Sequence, residues 1–153
     1  SKITPRVLIL SPTRELCSQI LSAVESFSEG TAIRSCAIYG GVGQGAQVKA
    51  IKDGAGIIVA TPGRLLDLLE QKQLRLSGVD FFVIDEADRM LDMGFIDDLK
   101  DIIGRLPPGR QTLLFSATMP EEIQRLSSRI LKKPLVVEVA ASSSVAANID
   151  QRV

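Results

Sequence analysis

Short apolar runs alternate along the chain with segments in which apolar residues recur every three or four positions. An unbroken apolar run predicts a strand buried on both faces, and the wider spacing predicts an amphipathic helix. By these patterns the strands fall at residues 7–10, 33–39, 56–60, 79–84, 112–115 and 135–139. The helices fall at residues 15–27, near 47–52, and at 64–72, 96–106 and 121–131.

Strands separated by helices that are long enough for crossovers predict an α/β fold, a parallel sheet with helices on both faces in three layers. We assign residues 1–140 to this domain. From residue 141 the composition changes to Ala-Ser-Ser-Ser-Val-Ala-Ala, and such small residues have little to bury. Residues 141–153 are therefore expected to form a linker.

Length and composition narrow the possible chemistry. The 153 residues suit one globular domain with a core, and 18 basic against 18 acidic residues remove the usual argument for nucleic-acid binding, a basic excess. The absence of His excludes Ser-His-Asp and Cys-His catalysis and a His-ligated metal. Two cysteines, Cys17 and Cys36, are typical of a reducing compartment. Without a membrane-length apolar run or a secretory signal, we expect an intracellular protein of the nucleus or cytoplasm.

Four of the predicted strands end in the same way, with hydroxyls or carboxylates at the start of a helix. In a parallel sheet these ends share the carboxyl edge, where open α/β folds bind ligands, and helix N-termini there suit phosphate. Helix capping explains any one such junction, but four of them favour a ligand-binding edge. The junctions are Ser11-Pro12-Thr13-Arg14-Glu15, Thr61-Pro62-Gly63-Arg64, Asp85-Glu86-Ala87-Asp88 and Ser116-Ala117-Thr118.

The pair Asp85-Glu86 carries the sharpest chemical signal. Adjacent carboxylates after an apolar strand form the Walker-B pattern of nucleotide hydrolases, in which the first holds Mg²⁺ through water and the second polarises the attacking water. Two acids at a helix start also interact favourably with the helix dipole, which is the structural alternative.

Taken together, these motifs resemble the DEAD-box ATP-dependent RNA helicases. Asp85-Glu86-Ala87-Asp88 is the motif that names that family, and the chain continues typically through Phe95. The match extends in order over residues 3–139. The other matching segments are Pro12-Thr13-Arg14-Glu15-Leu16 (motif Ia), Gly40-Gly41 (the GG motif), Thr61-Pro62-Gly63-Arg64 (motif Ib) and Ser116-Ala117-Thr118 (motif III).

The resemblance implies the first of two RecA-like domains, with ATP and RNA bound between them, and RNA-stimulated ATP hydrolysis coupled to RNA unwinding or remodelling. It implies that Asp85 positions Mg²⁺ through water and that Glu86 is the general base. Asp88 would hydrogen-bond with Ser116 and Thr118 and couple the nucleotide site to strand separation. Single-stranded or duplex RNA would be bound through its backbone, without sequence preference, by Thr13, Arg14, Gly41, Thr61, Gly63 and Arg64, with Gln47 supporting that surface.

One departure from the family pattern concerns the phosphate-binding loop. The sequence contains no Gly-x-x-x-x-Gly-Lys-Ser/Thr string, and its glycine cluster at 40–45 is followed by Ala46. In the family the Q motif and the P-loop precede motif Ia. We interpret the chain as a fragment that lacks the P-loop strand, expected between strands 112–115 and 135–139, and lacks the second RecA-like domain. Such a fragment is expected not to hydrolyse ATP alone, and its open strand edges predict instability, rearrangement, or a strand-exchanged or associated oligomer.

Two other functions fit parts of the sequence. A non-catalytic RNA-binding or scaffold module would keep the RNA surface without nucleotide binding. A dinucleotide-binding enzyme fits Gly41-x-Gly43-x-x-Ala46, although the next strand ends in Thr61 where that fingerprint requires an acid.

Overall fold

A computed structural model describes residues 4–139 of the protein. This part of the chain forms five strands and six helices, which alternate except that two helices lie between the fourth and fifth strands. The elements are β1 (Val7–Leu10), α1 (Arg14–Phe27), β2 (Ser35–Ile38), α2 (Gly45–Lys52), β3 (Ile57–Ala60), α3 (Pro62–Glu70), β4 (Phe81–Ile84), α4 (Ala87–Asp92), α5 (Ile96–Gly104), β5 (Gln111–Leu114) and α6 (Glu121–Ile130).

The five strands form one parallel sheet in the order β2-β3-β1-β4-β5. Their register is even, because Leu10 lies opposite Ala60 on one side and opposite Ile84 on the other. Ile38 and Leu114 continue that row at the two outer strands. All five strands therefore end at the same level, and the polar segments that follow them share one edge of the sheet.

The direction of the crossovers decides which helix covers which face. The connection from β1 to β2 runs towards one end of the sheet, whereas the later connections run towards the other end. Because parallel crossovers are right-handed, α1 must lie on the face opposite to the remaining helices. The prediction of a parallel sheet with helices on both faces is confirmed.

The main core lies between the sheet and helices α2 to α6. Alternate strand residues such as Leu8, Ile58 and Phe82 are fully buried there. Val59 and Cys17 are also buried but lie outside this cluster, because Val59 points to the α1 face. Helix α1 contacts β2 and β3. Over β4 and β5 the same face exposes Phe81, Leu113 and Phe115 to between 36% and 51%.

The prediction of a strand at residues 135–139 is wrong. These residues form no strand in the described structure, and Leu135 and Val139 are each 91% exposed. A strand needs a partner for its N–H and C=O groups, and β5, the outermost strand in the described range, pairs only with β4. The linker expected at residues 141–153 lies outside the described residues. None of the helices that the structure describes is long and apolar enough to cross a membrane.

Candidate functional site

Asp85 is the first residue after β4, and its surroundings disfavour its charge. Its backbone N–H donates to the carbonyl of Leu10 at 2.9 Å, which extends the sheet by one residue. Its Oδ1 accepts from the N–H of Glu86 at 3.0 Å. Partial burial raises the pKa of Asp85, and the Glu86 carboxylate adds to the rise while the Glu86 N–H opposes it. A cation beside Asp85 would therefore be favoured, because it stabilises the ionised form.

Glu86 lies in an unusual backbone conformation. Its φ of 52° and ψ of 52° are left-handed, a region that costs a non-glycine residue about 1–2 kcal/mol. The turn ends β4 and starts α4 at the next residue. The Glu86 carboxylate accepts from Nη1 of Arg89 at 3.4 Å. Backbone strain of this kind concentrates at functional sites, where the surrounding fold maintains it.

Asp88 joins the start of α4 to the segment that follows β5. Its Oδ2 accepts from the N–H of Thr118 at 3.0 Å and from the Thr118 hydroxyl at 2.8 Å. Its backbone N–H donates to Oγ of Ser116 at 3.0 Å, and that hydroxyl donates to the carbonyl of Thr118 at 2.7 Å. Desolvation raises the pKa of Asp88, but the Thr118 bonds and the N–H of Arg89 outweigh it and the net shift is downward. The contacts expected among Asp88, Ser116 and Thr118 are present.

Ser11 lies between the two halves of the edge, directly after β1. The chain leaves β1 towards the α1 face and leaves β4 towards the opposite face, which makes the gap between their ends a topological switch point. Ser11 and Asp85 each follow a paired residue, Leu10 and Ile84. Ser11 is fully buried and its hydroxyl has no hydrogen-bond partner in the described structure. Burying a hydroxyl without a hydrogen-bond partner costs about 1–3 kcal/mol. Sequence reasoning did not identify Ser11 as a residue of this kind.

The carboxylate of Asp85 fits Mg²⁺. Magnesium is usually held by one or two carboxylates together with water and substrate phosphates. Asp85 supplies one such carboxylate, and no cluster of three or more metal-ligating side chains occurs within residues 4–139. The phosphates of ATP need a further cradle, and the sequence has no P-loop string to supply it. The residues present therefore fit the metal side of a nucleotide site.

At the end of β1, the two predicted RNA-binding residues have different surroundings. Thr13 is extended, and its hydroxyl accepts from the N–H of Leu16 at 3.3 Å. That hydroxyl caps α1, so the capping alternative holds for it. Arg14 is exposed, and its guanidinium carbon lies 5.2 Å from the centre of the Tyr39 ring. This is within the range of a cation–π interaction.

Gly41 lies beside Arg14. Its φ of +80° is in the left-handed region, and a Cβ at this position would lie 4.0 Å from Nη1 of Arg14. The loop that contains Gly41 follows β2, which is an edge strand. A dinucleotide fingerprint is expected next to the switch point instead, so the dinucleotide-binding alternative has no support in this topology.

The start of α3 is open to a ligand. Thr61 is extended without using its hydroxyl as a cap, and Pro62 occupies the first turn. A Cβ at Gly63 would meet no atom within 4 Å, so packing does not require glycine there. Because glycine costs a helix about 1 kcal/mol, its presence fits a close approach by another molecule. Arg64 donates through Nη2 to the carbonyl of Val42 at 3.0 Å.

The predicted residues thus form two groups along one edge. Asp85, Glu86, Asp88, Ser116 and Thr118 gather after β4 and β5, and Arg14, Gly41 and Arg64 gather after β1, β2 and β3. Sequence reasoning missed Tyr39 and the carbonyl of Val42. The aromatic residue directly before Gly40-Gly41 was the available signal for Tyr39.

Known proteins resemble this chain over most of its length. Residues 1–126 match a model of the DEAD/DEAH box helicase family. The DEAD-box ATP-dependent RNA helicase CshA of Streptococcus pneumoniae is 44% identical over 148 residues, which cover 97% of this chain and 28% of that protein. The ATP-dependent RNA helicase DBP3 of Lodderomyces elongisporus is 46% identical over 93% of this chain and 27% of its own length.

Solved structures show the same relationship. The crystal structure of a DEAD box protein from the hyperthermophile Methanococcus jannaschii superposes with a TM-score of 0.81 at 42% identity, over 85% of this chain and 36% of that chain. A hypothetical ATP-dependent RNA helicase from Sulfolobus tokodaii gives a TM-score of 0.79 at 40% identity, over 84% of this chain and 39% of its own. The chain spans less than a third of the length of the two sequence relatives. It belongs to the DEAD/DEAH box helicase family.

Proposed function

We propose that this chain is the part of an ATP-dependent RNA helicase that carries the Mg²⁺-binding carboxylate Asp85, the general base Glu86 and one RNA-binding surface. The observation that carries the proposal is the common edge of the sheet, where Asp85 and Glu86 follow β4 while Arg14 and Arg64 follow β1 and β3. The relatives named as ATP-dependent RNA helicases support it.

On the nucleotide side, Mg²⁺ and ATP when bound supply a phosphoryl group whose charge is neutralised for attack. Asp85 would hold Mg²⁺ through water, and Glu86 would accept the proton of the attacking water. Glu86 lies in a left-handed turn directly after Asp85, and its carboxylate forms an ion pair with Arg89. Asp88 ties the same turn to Thr118, so a movement at the end of β4 would be transmitted to the end of β5.

On the RNA side, the proposed contacts are to the sugar-phosphate backbone. Four groups on this surface are suited to bind phosphate oxygens. They are the exposed Arg14, the guanidinium of Arg64, the Thr61 hydroxyl, which does not cap α3, and the open backbone at Gly63. Thr13 and Gly41 complete the predicted set through backbone groups. Contacts of this kind carry no base identity, so RNA binding should be independent of sequence and possible despite a net charge of zero.

The complete activity needs partners beyond these residues. We propose that a second RecA-like domain completes both the ATP and the RNA site, since the chain spans 28% of its relative CshA. RNA unwinding or remodelling inside the cell is the proposed activity of the whole protein. A non-catalytic RNA-binding module is the outcome to be excluded by experiment.

ATP hydrolysis is tested in the full-length protein, because these 153 residues contain no P-loop. Glu86→Gln should lower RNA-stimulated ATP hydrolysis roughly 10²–10⁴-fold, the contribution of a general base. Glu122→Gln, at an exposed position in the first turn of α6, is the control. Unchanged hydrolysis in Glu86→Gln would remove Glu86 as the base, and no hydrolysis in the unmodified full-length protein would favour the non-catalytic module.

RNA binding is tested with a fluorescent single-stranded oligonucleotide at several salt concentrations. Arg14→Ala and Arg64→Ala should each weaken binding and flatten its salt dependence, because each removes a phosphate contact. Arg105→Ala, which removes an arginine paired with Asp101 on α5, should change neither. Unchanged affinity in both Arg14→Ala and Arg64→Ala would overturn the RNA-binding assignment.

We also propose that the 153-residue chain by itself associates through β5. Within the described residues β5 has one unpaired edge, and Phe81, Leu113 and Phe115 are exposed beside it. Open apolar edges pair with other chains. Light scattering should show association that Leu113→Lys reduces, and a monomer at all concentrations would contradict it.

A further inference from the structure

Gln47 is one of two polar residues that are buried in the described part of the chain, the other being Ser11. It lies on α2, and both ends of its amide are used. Its Nε2 donates to the carbonyl of Tyr39 at 2.9 Å, and its Oε1 accepts from Nη1 of Arg64 at 3.4 Å. Gln47 therefore connects a helix of the main core to the loop after β2 and to the start of α3.

Both arginines of the proposed RNA surface contact the same short segment, residues 39–42. Arg64 donates to the carbonyl of Val42 at 3.0 Å, and Arg14 lies over the ring of Tyr39 at 5.2 Å. A Cβ at Gly41 would lie 4.0 Å from Nη1 of Arg14. The 39–42 segment thus contacts both guanidinium groups.

Core packing alone does not account for these contacts. A buried amide must be fully hydrogen-bonded to avoid a desolvation cost, whereas an aliphatic side chain would fill the same space without that requirement. Gln47 in addition supplies an acceptor to a cation. Arginine loses side-chain freedom when it binds a phosphate, so holding it in place beforehand reduces the cost of binding.

We propose that Gln47 and Tyr39 are positioning residues that set the relative placement of Arg64 and Arg14, so that both meet phosphates of one RNA strand. Neither needs to touch RNA for this role. Gln47 fixes Arg64 through its amide oxygen and anchors the 39–42 segment through the Tyr39 carbonyl, while the Tyr39 ring holds Arg14. This inference rests on the proposed RNA-binding function.

The first test replaces Gln47 by Met, which keeps the length of the side chain and removes both hydrogen bonds. We expect Gln47→Met to weaken binding of the single-stranded oligonucleotide about three- to tenfold. This is the effect expected when one long side chain must be immobilised on binding. The magnitude of the slope of log affinity against log salt concentration should fall by up to about 0.7, which is the contribution of one phosphate contact on a single strand. Gln44→Met is the matched control, because the side chain of Gln44 bonds only Gln71 in the described structure.

A double variant separates positioning from a loss of folding. If Gln47 acts on Arg64 as well as on the 39–42 segment, Gln47→Met should cost less RNA affinity in the Arg64→Ala background than in the unmodified chain, because only its effect on Arg14 through Tyr39 remains. An equal loss in both backgrounds would show that Gln47 acts through the fold and would overturn the inference. Urea midpoints measured for every variant identify any that are partly unfolded at the assay concentration.

The role of Tyr39 is tested by substitutions that keep or remove its aromatic ring. Tyr39→Phe keeps the aromatic face towards Arg14 and should bind RNA like the unmodified chain, whereas Tyr39→Leu should weaken binding about threefold, the measurable part of one exposed cation–π contact. Wild-type affinity in both Gln47→Met and Tyr39→Leu, with Arg14→Ala and Arg64→Ala still weakened, would overturn the inference and leave the proposed function intact. If the two arginine variants are also unchanged, the proposed function fails.

Discussion

Asp88→Asn provides a direct measure of the link between β4 and the segment after β5. Asp88 accepts two hydrogen bonds from Thr118 through Oδ2, at 3.0 Å from its N–H and 2.8 Å from its hydroxyl. Asparagine preserves the shape of the side chain, but it replaces the charge and places either a neutral oxygen or an NH₂ group towards two donors. The substitution therefore weakens or breaks both bonds while leaving the packing nearly unchanged.

The expected cost follows from the character of those bonds. Hydrogen bonds to a charged group contribute about 1.5–3 kcal/mol each when buried. Asp88 and Thr118 are partly exposed, and water competes for both, which lowers the contribution. We expect the free energy of unfolding to fall by about 1–2 kcal/mol for the pair of bonds. With a urea m-value of about 2 kcal/mol/M, the midpoint should fall by about 0.5–1 M.

The assay is urea denaturation followed by circular dichroism at several pH values, with Asp98→Asn as the control. Asp98 also lies in the first turn of a helix, α5, but makes no side-chain hydrogen bond within the described residues. The pKa of Asp88 is lowered from the ordinary 3.8, so its contribution is present above that pH and is lost as the pH falls through the folded value. The gap between the unmodified chain and Asp88→Asn should shrink as the pH falls below 4. Equal midpoints for Asp88→Asn and Asp98→Asn at pH 7 would refute the reasoning.

Three other predictions concern the edge of the sheet and the thiols. Asp85→Asn should raise the free energy of unfolding by about 0.5–2 kcal/mol at pH 7, because it removes a partly buried charge and keeps the acceptor for Glu86. Since burial raises the pKa of Asp85, this gain should diminish as the pH falls through the raised value, and urea midpoints at pH 7 and pH 4 check it. Gly63→Ala should stabilise α3 by about 0.5–1 kcal/mol and weaken RNA binding, whereas unchanged RNA affinity would argue against a close approach at this residue. Burial raises the pKa of Cys17 to about 12 and that of Cys36 to about 11, so iodoacetamide at pH 8 should modify both much more slowly in native buffer than in urea. Rapid native modification, detected by mass spectrometry, would contradict their burial.

The strands were predictable where a buried apolar run ended in a polar motif. The run before Ser11 and the run before Asp85 gave strands ending at Leu10 and Ile84, as expected. The run at 135–139 is also largely apolar and forms no strand, because strand formation depends on a partner and composition cannot supply one.

The candidate site was predictable in its residue types and less so in its contacts. Asp85-Glu86 and the arginines of the Thr13-Arg14 and Thr61-Pro62-Gly63-Arg64 motifs were predictable, because their chemistry depends on residues close together in the chain. The left-handed turn at Glu86 is a backbone property that local sequence did not indicate. Capping of α1 by the Thr13 hydroxyl was one of the alternatives that the sequence offered, and the structure chose it. The contacts of Gln47 with Tyr39 and Arg64 join segments 8 and 17 residues apart, and no local pattern encodes them.

By itself the sequence determined most of the elements, the parallel α/β class and the motifs placed at the strand ends, because each depends on hydrophobic periodicity or on residues close in the chain. Only the tertiary structure decided the strand order, and with it the position of Asp85 next to β1 and the face covered by α1. It also decided that one short segment, 39–42, touches both Arg14 and Arg64. The physical reason is that strand pairing and long-range hydrogen bonds are chosen by the packing of the whole sheet, in which every buried polar group must find a partner at once.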